Sequence, residues 1–195
     1  MTKIAIIYHS GYGHTKLVAD AVRDGVENID GVEAIYLTAK EAEAELENLG
    51  KVDGIIFGSP TYMGSVAAPL EKFFDATSKV WGQGTWKDKL AGGFTNSGSA
   101  SGDKVLTLQR LIVLAAQHGM IWVSHGAMNE LQDPDFDGAP EEAVNRLGGY
   151  LGPMAQSENA APGPDNPPQG DIKTARLYGE RFARAAKRWG SGPLQ

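Results

Sequence analysis

The chain has 195 residues, a net charge of −6 and no cysteine, which suits one well-buried domain and argues against a general nucleic-acid or anionic-membrane surface. Without cysteine there are no disulfides, thiolate nucleophiles or cysteine-ligated zinc or iron–sulfur centres, so any redox chemistry has to come from a bound organic cofactor. No stretch approaches the roughly 18 apolar residues of a membrane span, and Met1-Thr2-Lys3 leads into the first apolar run without a signal-peptide core, so a cytoplasmic location is expected.

Ile4, Ala5, Ile6, Ile7 and Tyr8 are apolar on both parities, which suits a strand buried on both faces of a parallel sheet. Beyond them Leu17, Val18, Ala21, Val22, Val26 and Ile29 recur at helical spacing, with Asp20, Asp24 and Glu27 opposite. Between strand and helix lies SGYGHT, where Gly11 and Gly13 open backbone angles closed to other residues and let several amides converge at the positive end of the helix. Such a turn can hold a phosphate, with Ser10 and Thr15 as neutral donors, or it can be an ordinary capped strand-to-helix turn. The lysine of a nucleoside-triphosphate loop and the third glycine of the dinucleotide fingerprint are both missing.

Asp30-Gly31 stops the helix, and 32–37 predicts a second strand. Thr38 and Glu41 have capping-box spacing, so 40–49 predicts a short, acidic, mostly exposed helix ending at Gly50. A third doubly buried strand is expected over 55–58, stopped at Ser59-Pro60. Residues 69–78 predict a helix with Leu70, Phe73 and Phe74 inside, and 80–89 a loop with two tryptophans. The fourth strand is expected over 90–95, with Gly92-Gly93 marking close approach of a neighbouring backbone. Asp103 is placed to cap the next helix, which is apolar through Val105, Leu106, Leu108, Leu111, Ile112 and Ala115, and 120–124 is the fifth strand. Strands alternating with helices at this spacing predict an α/β fold, a doubly wound parallel sheet with helices on both faces.

Residues 126–170 hold seven of the ten prolines and are too many for an ordinary connection. They predict an insertion or extended loop beside the fifth strand, with no regular structure assigned. Asp171 is placed to cap a last helix with Ala175, Tyr178, Phe182, Ala185, Ala186 and Trp189 inward. Its basic outer face, Lys173, Arg176, Arg181, Arg184, Lys187 and Arg188, reads as a solvated surface. Fraying is expected at the last residues.

In a doubly wound sheet, ligands lie beyond the carboxyl ends of the strands. Three loops leave such ends: 10–15, 60–65 (PTYMGS) and 96–102 (NSGSASG), each rich in Gly, Ser or Thr and none with a cation. Together they suit FMN, whose flat ring is read by amides and hydroxyls while one phosphate sits in the first loop; singly, each is explained by loop conformation. His9 and His125 lack the spacing of metal ligands, so no metal is expected.

SGYGHT, GSPTYMGS, TNSGSASGD and QHGM, in this order and spacing, resemble the flavodoxin-like NAD(P)H:quinone oxidoreductases of the WrbA type, from about Lys3 to the final helix. The resemblance implies a five-stranded flavodoxin-like sheet of order 2-1-3-4-5, noncovalent FMN, and NADH or NADPH as electron donor. It further implies a quinone or other small electrophilic acceptor, two-electron ping-pong transfer through flavin N5, and a homodimer or homotetramer. By position it assigns Ser10, Gly11, Tyr12, Gly13, His14 and Thr15 to the phosphate, and Pro60, Thr61, Tyr62, Met63 and Gly64 to the isoalloxazine. Asn96, Ser97, Gly98, Ser99, Ala100 and Ser101 fall to the pyrimidine end and ribityl chain, and His118 to the N1/O2 side of the ring. Tyr12 matches a contact to the nicotinamide nucleotide and Trp81 an aromatic of the substrate mouth. On the residues alone, His118 is also a helix C-terminal residue favoured by the dipole, and Trp81 also suits core or interface packing.

The chain departs from that family at two places. Tyr62 and Met63 replace an arginine and an aromatic, which leaves Tyr62 to stack on or shield the flavin, and the usual insertion after the second strand is reduced to a short helix. Two other readings compete: a flavodoxin-type electron carrier, disfavoured by the lack of an aromatic in 96–102, and an interaction protein that has lost its cofactor.

Overall fold

Strands that are apolar at every position form the middle of the sheet, where both faces are covered. The computed structural model describes residues 1–190, and the fraying expected at the last residues lies outside them. β1 (Thr2–Tyr8) pairs in parallel with β2 (Val32–Thr38) and with β3 (Gly54–Tyr62), and β3 pairs in parallel with β5 (Leu90–Ser97). Ile4, Ile6 and Tyr8 point to a face covered by α1 (His14–Glu27) and α7 (Gln169–Gly190). Ala5 and Ile7 point to the other, under α2 (Ala39–Ala44), α4 (Ala68–Ala76) and α6 (Lys104–Gln117). Alternate side chains leave opposite faces of a strand, so a doubly apolar strand needs a helical layer on each side.

The fifth position of the sheet is shared by two short strands. β6 (Ile121–Trp122) pairs with Leu90 and Ala91, and β7 (Met154–Gln156) pairs with Thr95, Asn96 and Ser97 further along β5. The five positions therefore follow the expected order, 2-1-3-4-5, but 120–124 fills only part of the last one and the insertion returns to fill the rest. The Trp122 indole donates to the Leu151 carbonyl (2.9 Å), and the His125 amide donates to that of Tyr150 (3.1 Å), tying down both ends of the excursion. Residues 126–170 thus carry regular pieces that composition did not indicate: β7 and single 3-10 turns at Glu130–Gln132 and Pro140–Glu142.

Other boundaries shift for identifiable reasons. β3 does not stop at Pro60. The Gly58 carbonyl still accepts from the His9 amide (3.0 Å), but β1 pairing has ended there, so Pro60 faces a side where no donor is needed. The capping box at Thr38 and Glu41 is formed, yet the acidic helix breaks at Glu45 into α2 and α3 (Leu46–Leu49). Part of the expected 80–89 loop is helical, α5 (Ser78–Gly82), and Trp86 is fully buried against Phe57 and Phe73. Gly92 makes room for a side chain, since a β-carbon there would meet the Tyr178 hydroxyl at 2.0 Å; at Gly93 it would meet Leu111 at 2.5 Å, and the expected close backbone is that of Gly152, whose own β-carbon would lie 2.0 Å from the Gly93 carbonyl oxygen. Asp103 sits at the N-cap of α6 in a left-handed conformation (φ 53°) and makes no capping bond. Asp171 is not a cap either: it lies inside the first turn of α7, buried against Arg146.

Candidate functional site

The carboxyl ends of β1, β3 and β5 enclose a cavity of about 490 Å³. Its walls come from all three loops singled out in the sequence and from 157–162 of the insertion.

In the first loop, the Ser10 hydroxyl accepts from the amides of Gly13 (3.0 Å) and Lys16 (3.2 Å), and Gly13 takes a left-handed angle (φ 98°) at the N-cap of α1. Among the described residues, the amides of Gly11, Tyr12, His14 and Thr15 find no acceptor. Unused donors at the start of a 14-residue helix form a site for an anion, and a monophosphate fits without help from a cation. The His14 ring is otherwise engaged: its Nε2 donates to the Ala160 carbonyl (2.9 Å), tethering the insertion over the loop.

In the second loop, the Thr61 hydroxyl is shared with those of Thr95 and Thr107 (both 2.8 Å), locking β3 to β5 and α6 beneath the cavity floor. Pro60, Thr61 and Tyr62 line the cavity. The Tyr62 hydroxyl lies over Gly11, where a β-carbon would come within 2.7 Å of it. Burial, then the neighbouring Tyr12, pushes the Tyr62 phenol up. Met63 and Gly64, both at positive φ, make the hairpin turn to β4 (Ser65–Val66) and do not line the cavity.

The third loop contributes Asn96, Ser97 and Gly98. Ser99, Ala100 and Ser101 are exposed beyond the cavity wall. Behind this loop is a cation that its composition did not disclose: Lys104 is fully buried, and its ammonium donates to the Ser97 hydroxyl (2.9 Å) and the Ser99 carbonyl. Burial pulls its pKa down to about 8; the Asp171 charge opposes this and the Arg146 charge adds to it. Asp171 receives both forks of Arg146 (2.8 and 2.9 Å) and the Gln156 amide (2.9 Å). Ser157 completes the seam, its hydroxyl donating to Asn96 Oδ1 (2.8 Å) and its amide to the Ser97 carbonyl (3.0 Å). The buried charges thus weld the insertion to the third loop. Sequence reading missed Ser157 and its neighbours because they belong to a proline-rich stretch without periodicity.

Two expected site residues lie elsewhere. His118 ends α6, whose 14 residues span about 21 Å from the third loop toward the opposite edge of the sheet. There its ring is buried, tilted at 31° against Trp86 (4.4 Å) and bonded to the Thr77 hydroxyl (2.9 Å), and burial lowers its pKa. Trp81, on α5, is at that edge too, half-exposed with its indole donating to the Gln117 carbonyl (2.9 Å). Within one chain neither reaches the cavity, because each follows a helix that carries it away from the carboxyl ends of the strands.

The sheet order, the acceptor-free turn after β1 and a cavity lined by no lysine or arginine among the described residues define a flavodoxin-like protein. The chain belongs to the NADPH-dependent FMN reductase family, whose model matches residues 2–133. It is 41% identical over 184 residues to the flavodoxin FldP of Pseudomonas aeruginosa, covering 94% of this chain and 96% of that protein. An NAD(P)H dehydrogenase (quinone) of Chromohalobacter salexigens is 29% identical over 209 residues, covering 95% and 98%. Among solved structures, the flavodoxin, WrbA-like protein from Agrobacterium tumefaciens is 40% identical with a TM-score of 0.72, covering 96% of this chain and 99% of that one. The WrbA-type resemblance therefore extends through the insertion.

Proposed function

We propose that this chain binds FMN noncovalently in the cavity and acts as an NAD(P)H:quinone oxidoreductase, reducing quinones by two-electron ping-pong transfer. The observation that carries this reading is the set of acceptor-free amides at the start of α1, opening into the same cavity as the uncharged edges of β3 and β5. When bound, FMN supplies a ring that takes hydride from NADH or NADPH and gives two electrons to the acceptor. The chain's own part is positioning and electrostatic bias. Gly11, Tyr12, His14 and Thr15 hold the phosphate by their amides. Pro60, Thr61, Asn96, Ser97 and Gly98 shape the slot for the ring. Tyr62 shields its outer side, and the exposed Tyr12 offers a face to the nicotinamide nucleotide. The Lys104 ammonium, behind the third loop, favours negative charge in the slot.

A homodimer or homotetramer belongs to this reading, supported by exposed Val105, Leu106 and Val113 on α6. The test is purified protein with FMN, benzoquinone and either NADH or NADPH, following nucleotide absorbance. Turnover with at least one nucleotide is expected; none with either removes the enzyme assignment. The second reading is an electron carrier, favoured by the flavodoxin name of a 41% identical relative. Accumulation of a one-electron-reduced state in high yield during photoreduction favours the carrier.

A further inference from the structure

We propose that Ser157 is a positioning residue: its hydroxyl turns the Asn96 carboxamide so that the amide nitrogen faces the cavity and selects a flat ring with a carbonyl acceptor at that edge. This role rests on FMN occupying the cavity and adds to that reading one donor and the residue that aims it. Both side chains are almost fully buried, Asn96 at 5% and Ser157 at 4% exposure, and both border the cavity. Their backbones are pinned by the sheet. Asn96 lies opposite Pro60 on β3 and Ala155 on β7, and the Ser157 amide donates to the Ser97 carbonyl (3.0 Å).

A carboxamide has two ends of similar shape and opposite hydrogen-bonding character, so its direction is set by its partners. The Ser157 hydroxyl donates to Asn96 Oδ1 (2.8 Å), which engages the oxygen within the protein and leaves the nitrogen free. That nitrogen has no acceptor among the described residues, yet it is not sealed in the core. Among those residues, the side-chain polar atoms both buried and unpaired belong to Trp86, His118 and His125. The surface that Asn96 keeps opens on the cavity it borders.

The hydroxyls around it cannot take its place. Thr61 is committed to Thr95 and Thr107 (both 2.8 Å), and Ser97 donates to the Ser99 carbonyl (3.1 Å) while accepting from Lys104 (2.9 Å). Ser157 gives its one proton to Asn96. A donor this deeply buried is costly unless it is bonded, so the acceptor has to come with the ligand. The carboxamide carries no charge, which suits a neutral carbonyl better than a phosphate or carboxylate. A donor at a ring carbonyl also favours the electron-rich reduced ring over the oxidised one.

FMN is the probe, titrated by flavin fluorescence into the parent, S157A, S157T, N96L and S157A/N96L, with the midpoint potential of each complex measured alongside. In S157A nothing holds the carboxamide, its oxygen can face the ring, and the dissociation constant should rise about three- to tenfold. The potential should fall, by about 30 mV for every tenfold by which reduced FMN loses more affinity than oxidised FMN. S157T keeps the hydroxyl and should restore both values. N96L removes the donor, so adding S157A to it should change neither value further, a coupling that a merely structural serine would not show. Uptake by the parent with affinity and potential unchanged in S157A overturns this role and leaves the FMN reading intact; no uptake by the parent removes both. A loss in S157T equal to that in S157A overturns the role, and so does a full S157A effect in the N96L background.

Discussion

Lys104 shows how one side chain can couple the site to solution conditions. Its ammonium is buried behind the third loop, and its pKa falls from the ordinary 10.5 to about 8. Between those values the unfolded chain binds more protons than the folded one, so this lysine makes stability rise with pH across that window. Below about pH 8 both states are protonated, and the cost of burying the charge is fully present. Urea unfolding should therefore show a rise between pH 8 and 10.5 in the parent that K104M lacks. K104M should also weaken FMN binding, because Ser97 and Ser99 lose their shared anchor. An unchanged affinity measured by flavin fluorescence would show that the loop holds its shape alone. At this scale the sequence was legible where a residue acts through its own backbone, as in the first loop. It was opaque where burial changes a residue's meaning, as for Lys104 and His118.

Elements are joined here by contacts between residues far apart in the chain. Arg146 of the insertion meets Asp171 of α7 in a fork-to-fork pair, with Asp171 2% exposed. Burial holds the Asp171 carboxyl above its usual range even with Arg146 beside it. R146A leaves that carboxyl buried without its partner and should destabilise the protein by about 3–5 kcal/mol. R146M/D171L should recover most of that loss, and urea titrations of both variants measure the difference. The crossing of α1 and α7 is a second such junction. A β-carbon on Gly179 would lie 2.1 Å from the Val22 carbonyl oxygen, and one on Gly25 2.0 Å from that of Arg176. Overpacking of this kind costs about 1–3 kcal/mol, occasionally more, and G179A should lower the urea midpoint accordingly. Helical periodicity indicated which faces of α1 and α7 are apolar, but not that their glycines bring the two backbones together.

For the whole molecule, FMN binding and folding are one linked equilibrium. The phosphate turn, the rim and the insertion are separate stretches of chain that meet only in the folded state, so a ligand held by all of them binds the unfolded chain poorly. At a hundred times its dissociation constant FMN should add about 2.7 kcal/mol. For a chain of this length that corresponds to a rise in melting temperature of about 5–10 °C. Calorimetric scans with and without FMN measure it; no shift at saturating FMN would remove flavin from this cavity and the redox reading with it.

What the sequence determined by itself was local. Apolar runs on both parities specify buried parallel strands, Gly and Ser at strand ends specify open turns, and the missing cations there indicate a ligand read by neutral donors. Tertiary structure alone decided which distant groups meet: that the insertion returns to the edge of β5, that Ser157 and Arg146 brace the third loop, and that α6 carries His118 away from it. The reason is physical. Side-chain pattern encodes whether a residue is buried, through hydrophobicity and period, whereas its partner depends on packing geometry summed over the whole chain.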